Sequence, residues 1–532
     1  MLQLQRNSIV KYREEWESQG FKTYHFDDAT VLKATKESPQ WLHVGGGNLF
    51  RAFLAPAQQT LLEQGDVQTG IIVTTTHNME VIDKLYRPYD NLNVAVTMYA
   101  DGHFDKEVVG SIVESVACDR RYRTDWQRLK EIFQAPSLQM VSFTITEKGY
   151  KLTDYEENYT ADVSADLKSG PDCTTSSMGN IAALLYERFK AGAYPVALVS
   201  MDNCSHNGDK VKDAIYTFGR QWVQQNMADA DFMTYLQTNV TYPFSMIDKI
   251  VPGPSKKVQE YLKSCHFGNT DLIQAGHGQY GLFVNAEKSQ YLVIEDNFPN
   301  GRPPLEKIGV IFTNRDTVNK AERMKVGTCL NPLHTTLAVY GCLLGYTLIA
   351  DELRDPQLKG LIEKIGYQEG LPVVVDPGVL DPKMFIDELV GQRLPNPNVP
   401  DTPQRIATDT SQKVGVRFGE TIKAYGSKAD TLVYIPLAIA GWLRYLLGVD
   451  DEGQCFTCSP DPLLDNLQTN LQGITLGCPD RVDNKLQPIL SQKGIFGCNL
   501  YEVGLGKKIE GFFKELIIGP QAVRNTLIKY TK

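Results

Sequence analysis

Trp41-Leu-His-Val-Gly-Gly-Gly-Asn-Leu-Phe-Arg51 passes from a short apolar strand into three glycines and then into a helix. The helical pattern covers 52–64, with Phe53, Leu54, Leu61 and Leu62 as its apolar positions. Strand, glycine turn and helix in that order form the phosphate-binding start of a dinucleotide domain. Glycines let the backbone approach a pyrophosphate, and the first helical N–H groups point at it. Gly45, Gly46, Gly47, Asn48, Leu49 and Arg51 are the expected cofactor contacts. Phe50 stands where the third glycine of G-x-G-x-x-G is expected. The next apolar strand, Gly70-Ile-Ile-Val-Thr74, runs into Thr75-Thr-His-Asn78, without the Asp or Glu that usually holds the adenosine ribose. NAD is the expected cofactor, with NADP left open.

Further strands are predicted at 94–99 and 107–116, the second as a hairpin excursion, and a helix at 126–133. A strand at 138–146 runs into Glu147-Lys-Gly-Tyr150, a polar loop is expected at 154–176 and a helix at 178–191. The strand 195–201 ends in Asp202-Asn203, and a helix follows at 209–225. Polar residues at strand ends in an open parallel sheet face the ligand crevice. Asp202 and Asn203 fit that role, or equally an Asx turn capping the next helix. A short amphipathic helix is expected at 8–19. The strand beginning at Tyr291 leads into a Pro/Gly-rich connection that ends at Pro304 and marks a domain boundary. Beyond it the pattern is helical: 305–311, 317–324, 335–350, 356–365, 382–394, 402–418, 429–447 and 463–472. The expected architecture is α/β: an N-terminal Rossmann-like, doubly wound domain over 1–304, then a mainly α-helical domain over 305–532.

The chain has 532 residues, too many for one core. A net charge of −9 argues against nucleic acid as the main partner and leaves an anionic small substrate open. The polar N-terminus and the absence of a membrane-length apolar run lead to an expectation of a cytoplasmic protein without membrane partners, a monomer or small homo-oligomer. Among the ten cysteines, Cys455 and Cys458 form one C-x-x-C, followed singly by Cys478 and Cys498. A zinc ribbon needs a second such pair, so no metal is expected.

The segment Glu322-Arg-Met-Lys-Val-Gly-Thr-Cys-Leu-Asn-Pro-Leu-His334 gathers a lysine, a carboxamide and an imidazole. A buried lysine can act as a general base, an asparagine can hold an alkoxide, and a histidine can orient or polarise a carbonyl. The same residues also read as a solvated Lys, a helix-capping Asn and a core His, so the rest of the chain must choose.

Several separate motifs make that choice. Gly45, Gly47, Asn48, Arg51 and Ala52 match G-x-G-N-x-x-R-A. Thr144 to Tyr150 match T-I-T-E-x-G-Y. Ser200, Asp202, Asn203, Asn207 and Gly208 match S-x-D-N-x-x-x-N-G. Met246 to Pro252, Glu295 to Pro303, the pair Glu322 and Lys325, the pair Asn331 and His334, and finally Arg405 and Lys413, eight residues apart on an expected helix, continue the series. In this order they resemble the polyol-specific long-chain dehydrogenases, the mannitol dehydrogenase family. The resemblance implies that Lys325 is the general base, that Asn203 and Asn331 stabilise the reacting oxygen, and that His334 orients the substrate. It places Asp248, Arg405 and Lys413 along the sugar site and Glu147 at a position linked to proton movement from the lysine. It also implies chemistry without zinc.

Two departures sit at the reacting centre. Lys325 and Asn331 are six positions apart where the family has five, and Pro332 replaces the usual glycine. On a continuous helix one extra residue turns a side chain by about 100°, so the segment must bulge or start its helix late. The resemblance implies NAD(P)-dependent interconversion of a keto-hexuronate and a hexonate, with fructuronate and mannonate favoured through Lys148. Mannitol 2-dehydrogenase or tagaturonate reductase activity is the alternative. An inactive dinucleotide-binding sensor is the alternative of another class.

Overall fold

Trp41–Val44 (β1) is buried along its whole length, as a central strand covered on both faces must be. In the computed structural model, which describes residues 1–482 and 484–532, β1 lies between two parallel neighbours. They are Ile71–Thr75 (β2) and Met140–Phe143 (β4). Ile112–Ala117 (β3), Val196–Ser200 (β5) and Val240–Thr241 (β6) complete a six-stranded parallel sheet in the order β3-β2-β1-β4-β5-β6. This is the dinucleotide-binding order, whose chain reversal beside β1 opens a crevice at the strand ends. On one face, Leu42, Val44, Val141 and Leu198 share a core with the helices Arg123–Gln134 (α2), Ser177–Lys190 (α3) and Asn207–Gln224 (α4). Elsewhere Leu62 of Ala55–Glu63 (α1) meets Val113 and Val31.

The structure corrects several expected elements. The stretch 107–116 is two strands in two sheets. Phe104–Val109 pairs antiparallel with Asn93–Met98, while β3 pairs with β2. Gly110 makes the break, since a Cβ there would lie 2.4 Å from the Tyr24 ring. The expected loop 154–176 contains a helix, Ala161–Ser169. Its Val163 and Leu167, one turn apart, enter the core, and its buried Asp166 accepts from the backbone N–H groups of Thr175 and Ser176. Residues 8–19 form two short helices, Arg6–Lys11 and Arg13–Ser18, broken at Tyr12. In place of a helix at 305–311 there is a 3₁₀ turn, Leu305–Ile308, and then a strand, Ile311–Thr313, that pairs with Tyr291–Glu295.

The chain divides into two units. One comprises Met1–Tyr99 and His103–Asn319, the other Ala100–Gly102 and Lys320–Lys532. The second unit is built on helices. Asn331–Leu343 (α5) packs on Tyr434–Tyr445 (α6), which packs on Gly506–Leu516 (α7). The Tyr340 hydroxyl donates to the Leu437 carbonyl at 2.8 Å, and Gly441 leaves room for that ring. The buried Glu369 carboxylate accepts from the N–H groups of Tyr434 and Ile435 and so caps α6. Helices here end in π-helical turns at Lys325–Cys329, Lys364–Gly370 and Leu389–Arg393, and the helix Glu420–Tyr425 is opened by one at Gly415–Gly419. Such turns carry one residue more than an α turn, a property that apolar periodicity does not reveal. No described helix is long and apolar enough to cross a membrane.

Candidate active site

In the first unit β1 ends at Gly45, where φ is +121° and a Cβ would lie 2.3 Å from the Thr144 carbonyl oxygen, so glycine is required. The Gly46 carbonyl accepts from the Tyr86 hydroxyl at 2.9 Å. No atom lies within 4 Å of where a Gly47 Cβ would be, which leaves that stretch of backbone open to a ligand. The three glycines line a cleft of about 560 Å³, together with Thr75 at the end of β2 and Thr76 to Asn78 beyond it, Thr144 to Thr146 after β4, and Lys148. Open glycine backbone beside a cavity at the sheet's switch point fits a dinucleotide pyrophosphate.

Of the six expected cofactor contacts, Gly45, Gly46 and Gly47 line this cleft, and Asn48, Leu49 and Arg51 do not. The Asn48 amide donates to the Pro252 carbonyl at 3.4 Å. Arg51 is buried and donates to the Gly281 carbonyl at 2.8 Å. Burial lowers its pKa, while nearby Tyr86 and Tyr280 oppose the shift. His43 sits in the sheet between Ser142 and Thr144, stacked on Phe50, and burial drives its pKa down to about 3, so the ring is neutral.

The Asp202 carboxylate accepts from the N–H groups of Ile145 and Thr146, each at 2.9 Å, and from the Tyr150 hydroxyl at 2.5 Å. It ties the end of β5 to the end of β4. Burial raises its pKa, against the pull of those three donors. The Asn207 amide donates to the carbonyls of Asp202 and Ser245, fixing the start of α4. Asn203 is thereby left on the exposed side of this loop. Asp248 is buried on the strand Ser245–Asp248, and Glu147 is exposed and pairs with Lys210 at 3.0 Å. Lys148, which the substrate argument used, lines the glycine cleft.

In the second unit Lys325 is 1% exposed and opens a π turn. The Leu330 N–H donates to the Lys325 carbonyl at 3.0 Å, five residues back. Helix α5 then begins at Asn331, with Pro332 in its first turn. The extra residue between Lys325 and Asn331 is absorbed by this turn, and the helix starts late, as Pro332 requires.

One turn on, the His334 Nε2 lies 2.8 Å from the Asp401 carboxylate, at ion-pair distance but outside good hydrogen-bond alignment. Asp401 also accepts from Arg405. Burial raises the Asp401 pKa, but His334 and Arg405 outweigh it and hold the group below the usual carboxylate range. Arg405 and Lys413 do not share one helix. Pro403–Ile406 ends before Asp409, whose φ is +53°, and a 3₁₀ turn, Thr410–Gln412, precedes Lys413. The Lys413 ammonium donates to the Thr408 carbonyl, and burial together with Arg417 lowers its pKa.

Two residues were missed in the sequence. Asp401 has one legible mark, its i,i+4 spacing to Arg405, but nothing points to His334. Arg417 lies four residues after Lys413 between two glycines and donates to the Thr335 hydroxyl. Among the described residues, no group of three or more His, Cys, Asp or Glu side chains is arranged to hold a metal.

Comparison with known proteins places this geometry. Residues 39–307 match the model of the mannitol dehydrogenase Rossmann domain, and residues 317–513 that of the mannitol dehydrogenase C-terminal domain. The chain is 53% identical to a D-mannonate oxidoreductase of Thermotoga maritima, over 99% of this chain and 98% of that one. It is 28% identical to a polyol:NADP oxidoreductase of Gluconobacter oxydans, over 79% and 83%. Among solved structures, the ternary complex of Pseudomonas fluorescens mannitol 2-dehydrogenase with NAD and D-mannitol superposes with a TM-score of 0.71. Its identity is 24%, over 99% of both chains, and the likeness speaks for the fold. With both family domains matched in order on the two units, the chain belongs to the mannitol dehydrogenase family.

Proposed function

We propose that the protein is an NAD(P)-dependent oxidoreductase that interconverts a keto-hexuronate and the corresponding hexonate, with fructuronate and mannonate as the preferred pair. The observation that carries this reading is the 53% identity to a D-mannonate oxidoreductase along nearly the whole of both chains. It replaces the weaker argument from Lys148, which lines the glycine cleft. The dinucleotide is held at Gly45–Gly47 and, when bound, accepts or supplies the hydride. NAD is the favoured form; the missing carboxylate after β2 keeps NADP in the test.

The chain's own residues handle the proton and the oxygen. In oxidation the neutral Lys325 amine takes the hydroxyl proton, and in reduction its ammonium form returns it. Lys325 is buried in the second unit, so its amine is kept from bulk water. The Asn331 amide stabilises the developing oxyanion, an effect worth ~2.7–4 kcal/mol for one such donor. His334, held by Asp401, orients the substrate oxygen. Asn203, Asp248 and Glu147 keep the roles their motifs imply. The ten free thiols fit a cytoplasmic setting.

The test is reduction of fructuronate, tagaturonate and fructose, each with NADH and with NADPH, followed by dinucleotide absorbance. Fructuronate is expected to give the highest kcat/KM. Preference for fructose, or no turnover despite dinucleotide binding, overturns the reading.

A further inference from the structure

Arg417 is a cation built into place and, among the described residues, bonded to a neutral hydroxyl. It lies in the middle of the π turn Gly415–Gly419, and that turn is fixed by contact. A Cβ on Gly415 would lie 2.6 Å from the Ile495 carbonyl oxygen, and one on Gly419 would lie 2.0 Å from that of Phe496. The backbone on both sides of Arg417 is thus pressed against other backbone. This turn also packs on the π turn of Lys325, where the Gly327 Cβ position lies 3.6 Å from the Val416 carbonyl oxygen. The guanidinium donates through Nη1 to the Thr335 hydroxyl. Thr335 follows His334 and lies one helical turn after Asn331, on the same face of α5.

Other arginines of this unit have their charge answered. Arg405 pairs with Asp401 and Arg524 with Asp355. Arg444 donates to the carbonyls of Val449, Asp450 and Leu516. Among the described residues Arg417 has a neutral hydroxyl partner and no carboxylate. Burial pulls its pKa down to about 10, with no opposing negative charge. It nevertheless remains partly exposed, unlike Arg51, whose Nη1 is sealed without an acceptor. Lys413 lies one turn earlier, with the Arg417 N–H bonded to its carbonyl at 2.9 Å. Like charges at this spacing destabilise a helix. The pair becomes favourable once an anion binds, and a guanidinium can take both oxygens of a carboxylate at once.

We propose that Arg417 recognises the carboxylate of the sugar-acid substrate, a specificity role that rests on the keto-hexuronate reading above. The test compares the wild-type enzyme with Arg417→Met and Arg417→Lys. Steady-state kinetics would be measured on the keto-hexuronate and on the uncharged ketose fructose, with dinucleotide Kd and Tm taken in parallel. Arg417→Met should raise KM for the hexuronate ~10–100-fold, the loss of one charged hydrogen-bonded partner. Dinucleotide Kd, and any activity on fructose, should stay within about twofold, and Arg417→Lys should recover part of the loss. An unchanged hexuronate KM overturns the assignment. So does a fall in kcat on both substrates with a lowered Tm, the mark of a structural role. If the wild type turns over fructose but no hexuronate, the functional reading fails along with this one. A hexuronate-specific wild type with an indifferent Arg417→Met variant removes the Arg417 assignment alone.

Discussion

The glycine turn Gly45–Gly47 and the segment Lys325–His334 both present polar groups at the mouth of a regular element, and they do so by different means. At the glycine turn, sterics set the geometry. A positive φ and a 2.3 Å approach to Thr144 leave no side chain possible at Gly45. At Lys325–His334 a change of hydrogen-bond register sets it. The Leu330 N–H reaches back five residues, and the turn takes up the added residue between Lys325 and Asn331. The first device is written in residue types, because only glycine satisfies it. The second depends on residue count along a helix whose neighbours decide where the bulge falls. A glycine turn can therefore be found from a motif, whereas the facing of Lys325 needs the structure.

Three changes would break or sharpen this contrast. The largest effect is expected from inserting one alanine after Val326, which adds a second extra residue where the π turn takes up one. If the turn sets the register, kcat should fall by more than ~10²-fold, since displacements near 1 Å already cost that much, while dinucleotide Kd stays unchanged. Retained turnover would show that the register is not what matters. Next is Gly45→Ala. Left-handed strain and backbone overlap should together cost about 2–4 kcal/mol in unfolding free energy, with dinucleotide affinity lost as well. An unaffected denaturation midpoint would contradict a sterically fixed turn.

The smallest effect concerns Glu352, which is fully buried with both carboxylate oxygens unpartnered. Burial first, and then the charges of Asp401, Asp355 and Asp351, push its pKa up to about 10. The Cys342 thiol lies beside it, and α5 meets it at Gly341. The folded state then holds a proton that the unfolded chain releases above the ordinary carboxylate value of 4.5. Stability therefore falls as pH rises from about 4.5 toward 10. Glu352→Gln should be more stable than wild type by about 1–3 kcal/mol at pH 8, with the gap closing near pH 5. Equal thermal shifts at both values would refute this.

The sequence reached the architecture because strands β1, β2, β4 and β5 are continuous apolar runs bounded by glycine or polar residues, and that pattern admits few alternatives. It reached the lysine, asparagine and histidine of the second unit through the resemblance rather than through periodicity. It missed the helix Ala161–Ser169 because Asp166 satisfies local backbone N–H groups, which a polar composition disguises as a loop. It joined Arg405 and Lys413 on one helix because no glycine or proline marks the break, which rests on the left-handed Asp409. Asp401 and Arg417 stayed hidden because their partners, His334 and Thr335, are distant in the chain.

The central claim is that Lys325, which opens the π turn, moves the substrate proton. The most direct measurement is the turnover of Lys325→Ala with and without small primary amines, at saturating keto-hexuronate and dinucleotide. The account predicts a loss of ~10²–10⁴-fold, substantially restored by added amine, with unchanged dinucleotide Kd. Near wild-type turnover of Lys325→Ala without amine would contradict it.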